Sequence, residues 1–384
     1  MVIFEPISTF NRLMIYNWQQ KDWPNFTFDT SKFDDPLYEF AQFSGRLGGL
    51  FDGLSYEEQS ESLMEIMITE AIKTSEIEGE YISRMDVVSS IKRNLGLENS
   101  NSIPSQKAEG AAQLMLEVRH GFSEPLSEEM LFSWHNKIMK GSSGVAVGQW
   151  RSHLEPMQIV SGPMGMERVH FEAPPSASLP QEMGRFIEWF NQTGPGGNLE
   201  IKSPPLRSAI AHLYFETIHP FEDGNGRIGR ALSEKAISQG LGQPVLLSLS
   251  RSIEVQKKEY YAALQKGQKS NQITGWVCYF VAAVIRAQIE TESLILFTIT
   301  KAKFFDRFSL ALNKRQLLVV QRIFREGSEG FEGGMSAKKY GAIAKTTKAT
   351  ATRDLQNLLE IKAFVRQGAG RSTRYYINFP ELKT

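Results

Sequence analysis

Cysteine is almost missing from this chain: Cys278 stands alone, so neither an internal disulfide framework nor a cysteine-rich zinc site can form. A reducing cytoplasm is the compartment that suits such a sequence. Long apolar runs are missing too. The most apolar stretch, residues 276–285, contains Cys278 and stops at Arg286, which is too short for a bilayer and predicts a buried helix. The first ten residues, MVIFEPISTF, put an acid where a secretory signal is basic and lack an apolar core followed by small residues, so neither export nor membrane insertion is expected. No GxxxxGK(S/T) occurs, which excludes a Walker-type nucleotide site, and no repeat of solenoid period is present. Net charge is absent as well: 43 basic and 43 acidic side chains cancel, which excludes a protein that coats nucleic acid over its whole surface or is held to a membrane by charge alone.

What is present is a globular composition, 384 residues with 41% hydrophobic and 11% aromatic side chains, enough for two or three domains. The charge is unevenly spread. Residues 301–384 carry 17 basic and 7 acidic side chains against 26 and 36 in residues 1–300, which predicts a separate basic module with an acidic partner. The pattern is mainly α. After an aromatic cluster at Trp18, Trp23, Phe26 and Phe28, expected in a core or an interdomain seam, helical spacing runs over 57–77 with Gly79 as its stop. The polar stretch 98–106 is a boundary. Helices follow at 108–119 and 127–139, the second with Ser127 as N-cap, and then at 178–191, 206–218 and from 230 onward. Residues 157–160 and 167–171 flank SGPMGM and predict a β-hairpin.

The tail reads as three helices, within 312–326, 335–345 and 348–364, followed by two β-rich pieces around a basic glycine turn at 365–379. That order resembles a winged helix-turn-helix over about residues 310–380. The resemblance implies that Thr347, Lys348, Thr350 and Arg353 face a DNA groove and that Arg366, Arg371 and Arg374 lie on the wing. Protein docking or dimerisation is the other use of such a module.

Chemically capable residues are densest in IHPFEDGNGRIGRAL, residues 218–232. Gly224, Gly226 and Gly229 spell GxGxxG, yet helical spacing precedes them and no acid stands where a dinucleotide site needs one, so that reading is set aside. Physically the segment is a phosphate site with a base attached. Gly224 and Gly226 let backbone N–H groups approach an anion at a helix N-terminus. Arg227 and Arg230, three apart on that helix, can clamp phosphate oxygens. Asp223 offers a hard oxygen to Mg²⁺, and His219 can take a proton near neutral pH. His120, His135, His153 and His170 have no metal-ligand spacing, and His212 is expected to be a packed structural histidine.

HPFEDGNGRIGR matches the Fic-family signature HPFx(D/E)GNGRxxR at every fixed position, and GQWR at 148–151, the hairpin and PPSASLP at 174–180 also resemble that family's layout. The resemblance implies a mainly α protein with a Fic-type helical core and a β-hairpin flap over 107–295, an N-terminal helical domain over 1–106 and the winged module over 310–384. It implies an adenylyltransferase that moves AMP from ATP, with Mg²⁺, to a Ser, Thr or Tyr hydroxyl of a protein. By it, His219 is the general base, Asp223 holds the metal, and Gly224, Asn225, Gly226, Arg227 and Arg230 bind ATP. Ile159, Val160, Val169 and His170 belong to a flap that docks the target by strand addition. Upstream, TSEIEG at 74–79 matches the family's inhibitory pattern (S/T)xxxE(G/N), which implies that Glu78, on a helix over about 57–79, competes with the ATP γ-phosphate for Arg230. Two alternatives stand beside this reading: a hydrolase that removes AMP with Glu78 positioning water, and an ATP-sensing regulator that binds DNA through Lys348, Arg353 and Arg371. The expected partners are a target protein, the chain itself as a substrate of self-modification, DNA, and a second copy in a homodimer. Glu222 is expected to face water, and Tyr260 and Tyr261 to border the adenine or to pack between helices.

Overall fold

The computed structural model describes residues 15–97, 103–161, 168–325, 331 and 333–378. The N-terminal MVIFEPISTF, the first part of the 98–106 break, the hairpin tip at 162–167 and the Arg371 side chain lie outside the described residues. The elements run α1 Asp34–Asp52, α2 Tyr56–Ile77, α3 Arg84–Asn94, α4 Gln106–His120, α5 Glu128–Ile138, β1 Gln158–Ser161, β2 Arg168–Glu172, α6 Leu179–Gln192, α7 Pro204–Ile218, α8 Asn225–Leu241, α9 Leu249–Val255, α10 Lys257–Gly267, α11 Thr274–Phe308, α12 Lys314–Arg325, α13 Ala337–Ile343, α14 Lys348–Glu360, β3 Phe364–Gln367 and β4 Arg374–Ile377. The fold is mainly α, as expected. No helix among the described residues is long and apolar enough to cross a membrane. The chain forms two compact units, one of residues 1–45 with 64–289, the other of 46–63 with 290–384.

In the first unit, α7 is the central helix. Residues 205–218 are all buried, so it carries no polar face and packs on every side. Pro204 and Pro205 start it, where a missing N–H costs nothing. One side meets α4, α5, α6 and α8 through Leu114, Trp134, Phe186, Phe215 and Ile228; another meets α10 and α11 through Leu213, Tyr260, Trp276 and Phe280. Burying each such aliphatic or aromatic side chain contributes roughly 1.5–3 kcal/mol, which makes α7 a rigid base for whatever follows its C-terminus. Ser127 caps α5 as expected, its Oγ accepting the Met130 N–H at 3.2 Å. The hairpin is antiparallel, pairing Ile159 with Phe171 and Val160 with Val169, and it bulges between Ile159 and Val160. Helix α11 is 35 residues long and runs far beyond the apolar stretch 276–285 expected to be a buried helix. On it Val277, Phe280 and Val281 are buried while Cys278 is exposed.

In the second unit, Leu47, Leu50, Phe51 and Leu54 pack on Ile295 and Ile299. A separate core gathers Phe304 and Phe308 of α11 with Val319, Val320, Ile323, Tyr340, Leu355, Leu358 and Phe364. Asp354 sits inside it and accepts from both arms of Arg315, at 2.8 and 3.0 Å, and from the Tyr340 hydroxyl at 3.0 Å. β3 and β4 pair antiparallel, and Met335 bridges to Tyr375 on the outside of β4.

Candidate active site

The α7–α8 junction turns on two left-handed residues. His219 caps α7 at φ 50°, and Gly224 caps the start of α8 at φ 82°. A left-handed conformation is uncommon for any residue but glycine, so the surroundings must hold His219 there. Arg151 does much of this. Its Nε donates to the His219 carbonyl at 2.8 Å, Nη2 to the Pro174 and Ile218 carbonyls at 2.6 and 3.3 Å, and Nη1 to Ser176 Oγ at 2.9 Å, while the Arg151 N–H reaches the Pro220 carbonyl at 2.9 Å. Burial lowers its pKa to about 10, still protonated at neutral pH.

From the other side, the His135 ring stacks on Phe221 with centroids 4.0 Å apart. The Gly148 N–H donates to its Nδ1 at 2.9 Å, so Nε2 carries the proton and donates to the Asp223 carbonyl at 3.1 Å. Burial pulls the His135 pKa down to about 4, which keeps this tautomer neutral. The Asn225 carboxamide closes the loop on itself, accepting from the Phe221 N–H at 2.9 Å and donating to the Phe221 carbonyl at 2.8 Å. Arg151 and His135 were not singled out by sequence reasoning; GQWR contains the first, but nothing in the string says what its arginine grips.

The groups expected to act together are brought together here. Asp223 projects outward, its side chain 56% exposed, with one carboxylate oxygen accepting the Gly224 N–H at 2.6 Å. The first N–H groups of α8, which no helix can use internally, follow directly. Arg230, 1% exposed, donates to Thr74 Oγ1 at 2.8 Å, the Thr74 carbonyl at 2.9 Å and Glu78 Oε1 at 2.8 Å. Burial opposes its charge, but Glu78 and the tyrosines 260 and 261 outweigh that and raise its pKa. Gly226 passes so close that any Cβ would lie 2.2 Å from Glu78 Oε1. Arg227 is bound as well: its Nη1 meets Glu80 Oε2 at 2.6 Å, and the other Glu80 oxygen meets Lys107 at 2.6 Å. Sequence reasoning missed Glu80, although an acid two places after Glu78 is legible in EIEGE.

His212 is structural, as expected, with Nδ1 at 3.0 Å from Ser233 Oγ and Nε2 at 2.7 Å from the Tyr260 hydroxyl. Tyr260 is therefore engaged in helix packing, and Tyr261 reaches the Ile77 carbonyl at 3.4 Å. Glu222 accepts the Ala146 N–H at 3.0 Å rather than simply facing water. Among the described residues no group of three or more His, Cys, Asp or Glu could enclose a metal. Asp223 alone would suit Mg²⁺, which binds through one or two carboxylates plus substrate phosphates. On the hairpin, Val160 is 47% exposed, and His170 bonds to Ser161 Oγ at 2.5 Å and to the Gln265 amide at 3.2 Å. On the C-terminal module, Lys348 and Arg353 of α14 and Arg366 of β3 are exposed, while Thr347 caps α14 by accepting the Thr350 N–H at 3.3 Å.

Comparison with known proteins agrees with this geometry. Residues 125–236 match the Fic/DOC family, and residues 16–97 match a domain of unknown function, DUF4172. A probable protein adenylyltransferase of Aquifex aeolicus is 31% identical over 83 residues, 22% of this chain and 24% of that protein. The protein adenylyltransferase fic-1 of Caenorhabditis elegans is 26% identical over 141 residues, 37% of this chain and 24% of that protein. The matches thus span about a quarter of the length of these relatives. A Fic family protein from Desulfovibrio desulfuricans shares the fold over 94% of this chain and 99% of its own, with TM-score 0.53 and 18% identity. A Fic domain-containing signaling protein from Bacteroides thetaiotaomicron does so over 66% of this chain and 95% of its own, with TM-score 0.50 and 18% identity. The motif loop and the helices that carry it lie within residues 125–236, the stretch that matches the Fic/DOC family.

Proposed function

We propose that this chain is a protein adenylyltransferase held in check by the end of α2. The observation that carries the reading is the α7–α8 junction itself: a histidine on a clamped loop, followed at once by the open amide end of α8, with Arg227 and Arg230 behind it. ATP supplies the transferred group. His219 takes the proton of a Ser, Thr or Tyr hydroxyl; that oxygen bonds to the α-phosphorus, the α–β bond breaks, and pyrophosphate leaves with the electron pair. Gly224, Asn225 and Gly226 supply N–H groups to the α-phosphate, and the arginines bind the outer phosphates. Asp223 would hold Mg²⁺, which would neutralise charge on the departing pyrophosphate. The adenylyltransferase names of the relatives support the same chemistry.

The restraint follows from occupied arginines. Arg230 cannot bind a phosphate and Glu78 through the same fork, and Glu80 stands on Arg227 in the same way. In this reading 107–295 is the catalytic core, the hairpin residues Ile159, Val160, Val169 and His170 dock the target, and 310–384 is a winged helix-turn-helix. Exposed Lys348, Arg353 and Arg366 support DNA as its partner.

The test is intact-mass analysis of wild type, Glu78→Gly and Glu78→Gly/His219→Ala after incubation with ATP and Mg²⁺. Adducts of AMP mass should be scarce in wild type, increase roughly 5- to 150-fold in Glu78→Gly as expected of one coupled site, and vanish in the double variant. Absence of adducts in Glu78→Gly, both alone and with a cell extract as a source of targets, rejects the reading.

A further inference from the structure

The mechanism above leaves a buried carboxylate unused. Glu216 lies on the last turn of α7, three residues before His219, with a side chain 4% exposed. Its Oε2 is 3.7 Å from His219 Nδ1, and that distance is an ion-pair contact rather than a hydrogen bond. Neither His219 Nδ1 nor Glu216 Oε1 has a hydrogen-bond partner among the described residues, although both atoms are buried. Buried polar atoms without partners are costly, and here the imidazole and the carboxylate each keep one, with Glu216 Oε2 the oxygen that approaches Nδ1.

Most neighbouring groups are engaged elsewhere. His212, one turn earlier, has both nitrogens committed: Ser233 Oγ donates to the Gly229 carbonyl at 2.8 Å, so it accepts from His212 Nδ1, and the Tyr260 hydroxyl donates to Nε2. Arg230 on α8 donates to Thr74 and to Glu78 at the end of α2 and keeps one buried nitrogen, Nη1, without a hydrogen-bond partner among the described residues, and Tyr260 and Tyr261 of α10 are the remaining titratable groups near the carboxylate. Burial pushes the Glu216 carboxyl up, but His219 beside it, with His212 and Arg230, more than compensates and holds it ionised. An ionised carboxylate can only accept. Space for it is provided on α8: a Cβ at Gly229 would stand 2.5 Å from Glu216 Oε1, so the glycine and the acid are a matched pair.

We propose that Glu216 is a positioning residue that keeps the proton of neutral His219 on Nδ1 and so presents Nε2 as the free base. What Nε2 then does rests on the transferase reading; which nitrogen holds the proton does not. A slight approach of the two side chains on substrate binding converts the contact into a hydrogen bond and lets the carboxylate stabilise the imidazolium formed when the acceptor hydroxyl loses its proton.

The test is ¹⁵N NMR of protein labelled at histidine, with His219→Ala to assign the ring signals, comparing wild type, Glu216→Gln and Glu216→Leu. Wild type should show mainly the Nδ1–H form of neutral His219; Glu216→Leu should shift it to mainly Nε2–H, the form preferred in water, and Glu216→Gln should lie between. Mainly Nε2–H in wild type, or an unchanged ratio in both variants, overturns the proposal. In the Glu78→Gly background, Glu216→Gln should lower kcat for self-modification roughly 10²-fold with KM for ATP unchanged. An unchanged kcat also overturns it. The tautomer result together with absence of transfer in Glu78→Gly would instead reject the transferase reading and leave the positioning role standing.

Discussion

At the α7–α8 junction charged side chains are buried, and their roles depend on shape: Arg151 reaches three carbonyls and a hydroxyl, while Arg227 and Arg230 each hold a separate carboxylate. Across α14 and β3 of the C-terminal module the basic residues Lys348, Arg353 and Arg366 lie in solvent, and what they offer is charge. Both regions are rich in arginine, but burial changes what the residue is for. In a buried site the planar fork matches several acceptors at once and a lysine cannot replace it; on an exposed face a point charge at the same place does nearly the same work. The comparison can be broken by making one conservative substitution in each region.

The largest effect should come from Arg151→Lys. Lysine keeps the charge but cannot reach the His219, Pro174 and Ile218 carbonyls together with Ser176, and each buried acceptor left unpaired costs roughly 1–3 kcal/mol. Thermal unfolding should show Tm lowered by roughly 5–10 °C. Transfer in a Glu78→Gly background should drop by at least tenfold, as His219 loses the support of its left-handed backbone. A Tm and rate equal to those of the parent would mean that the fork is dispensable and the comparison false.

Glu80→Gln comes next and sharpens the account of the site itself. Glu80 is shared between Arg227 and Lys107, and the Lys107 side chain is 45% exposed, so part of the carboxylate's hold lies open to water. Self-modification should rise a few-fold, well short of Glu78→Gly. Added salt should stimulate wild type more than this variant, since the exposed part of the contact is screened. Stimulation equal to that of Glu78→Gly would put the main restraint on Arg227 rather than Arg230.

Much of the site was legible in sequence because its chemistry is compressed into residues 219–230, where spacing along the chain is also spacing in space. The α8 helix, the hairpin and the order of the C-terminal elements could be read for a similar reason: caps, turns and periodicity are local. What escaped is contact over long separations. His135 and Arg151 grip the loop from 88 and 68 positions away, and no local pattern announces that. Glu216 was within three residues of His219, yet a glutamate in a helix reads as solvated until the helix is seen to be buried on every side. Helices α1, α3, α9 and α10 fall in stretches expected to be helical but had no bounds of their own in the sequence pattern; α1 contains Gly45, Gly48 and Gly49, each a poor helix former that packing has overridden.

The smallest effect should appear on the basic face, where Arg353→Lys and Arg353→Gln form the counterpart to Arg151→Lys. If the module binds duplex DNA through phosphates, each contact releases condensed counterions, and log K falls with log salt by about 0.9 per phosphate neutralised. Fluorescence anisotropy on a duplex of arbitrary sequence, repeated from low to moderate salt, should give Arg353→Lys the wild-type slope. Arg353→Gln should flatten the slope by about one contact, and neither should alter self-modification in Glu78→Gly. A large loss on Arg353→Lys would mean that this arginine reads a base edge or a carboxylate through its fork, as Arg230 reads Glu78, and the contrast between the two regions would narrow. No binding at low salt would remove DNA from the account and leave the module as a protein-docking surface. A wild-type slope for lysine and a flattened one for glutamine, beside a destructive Arg151→Lys, would show one conservative change harmful in the buried site and neutral on the open face, which is the difference that burial predicts.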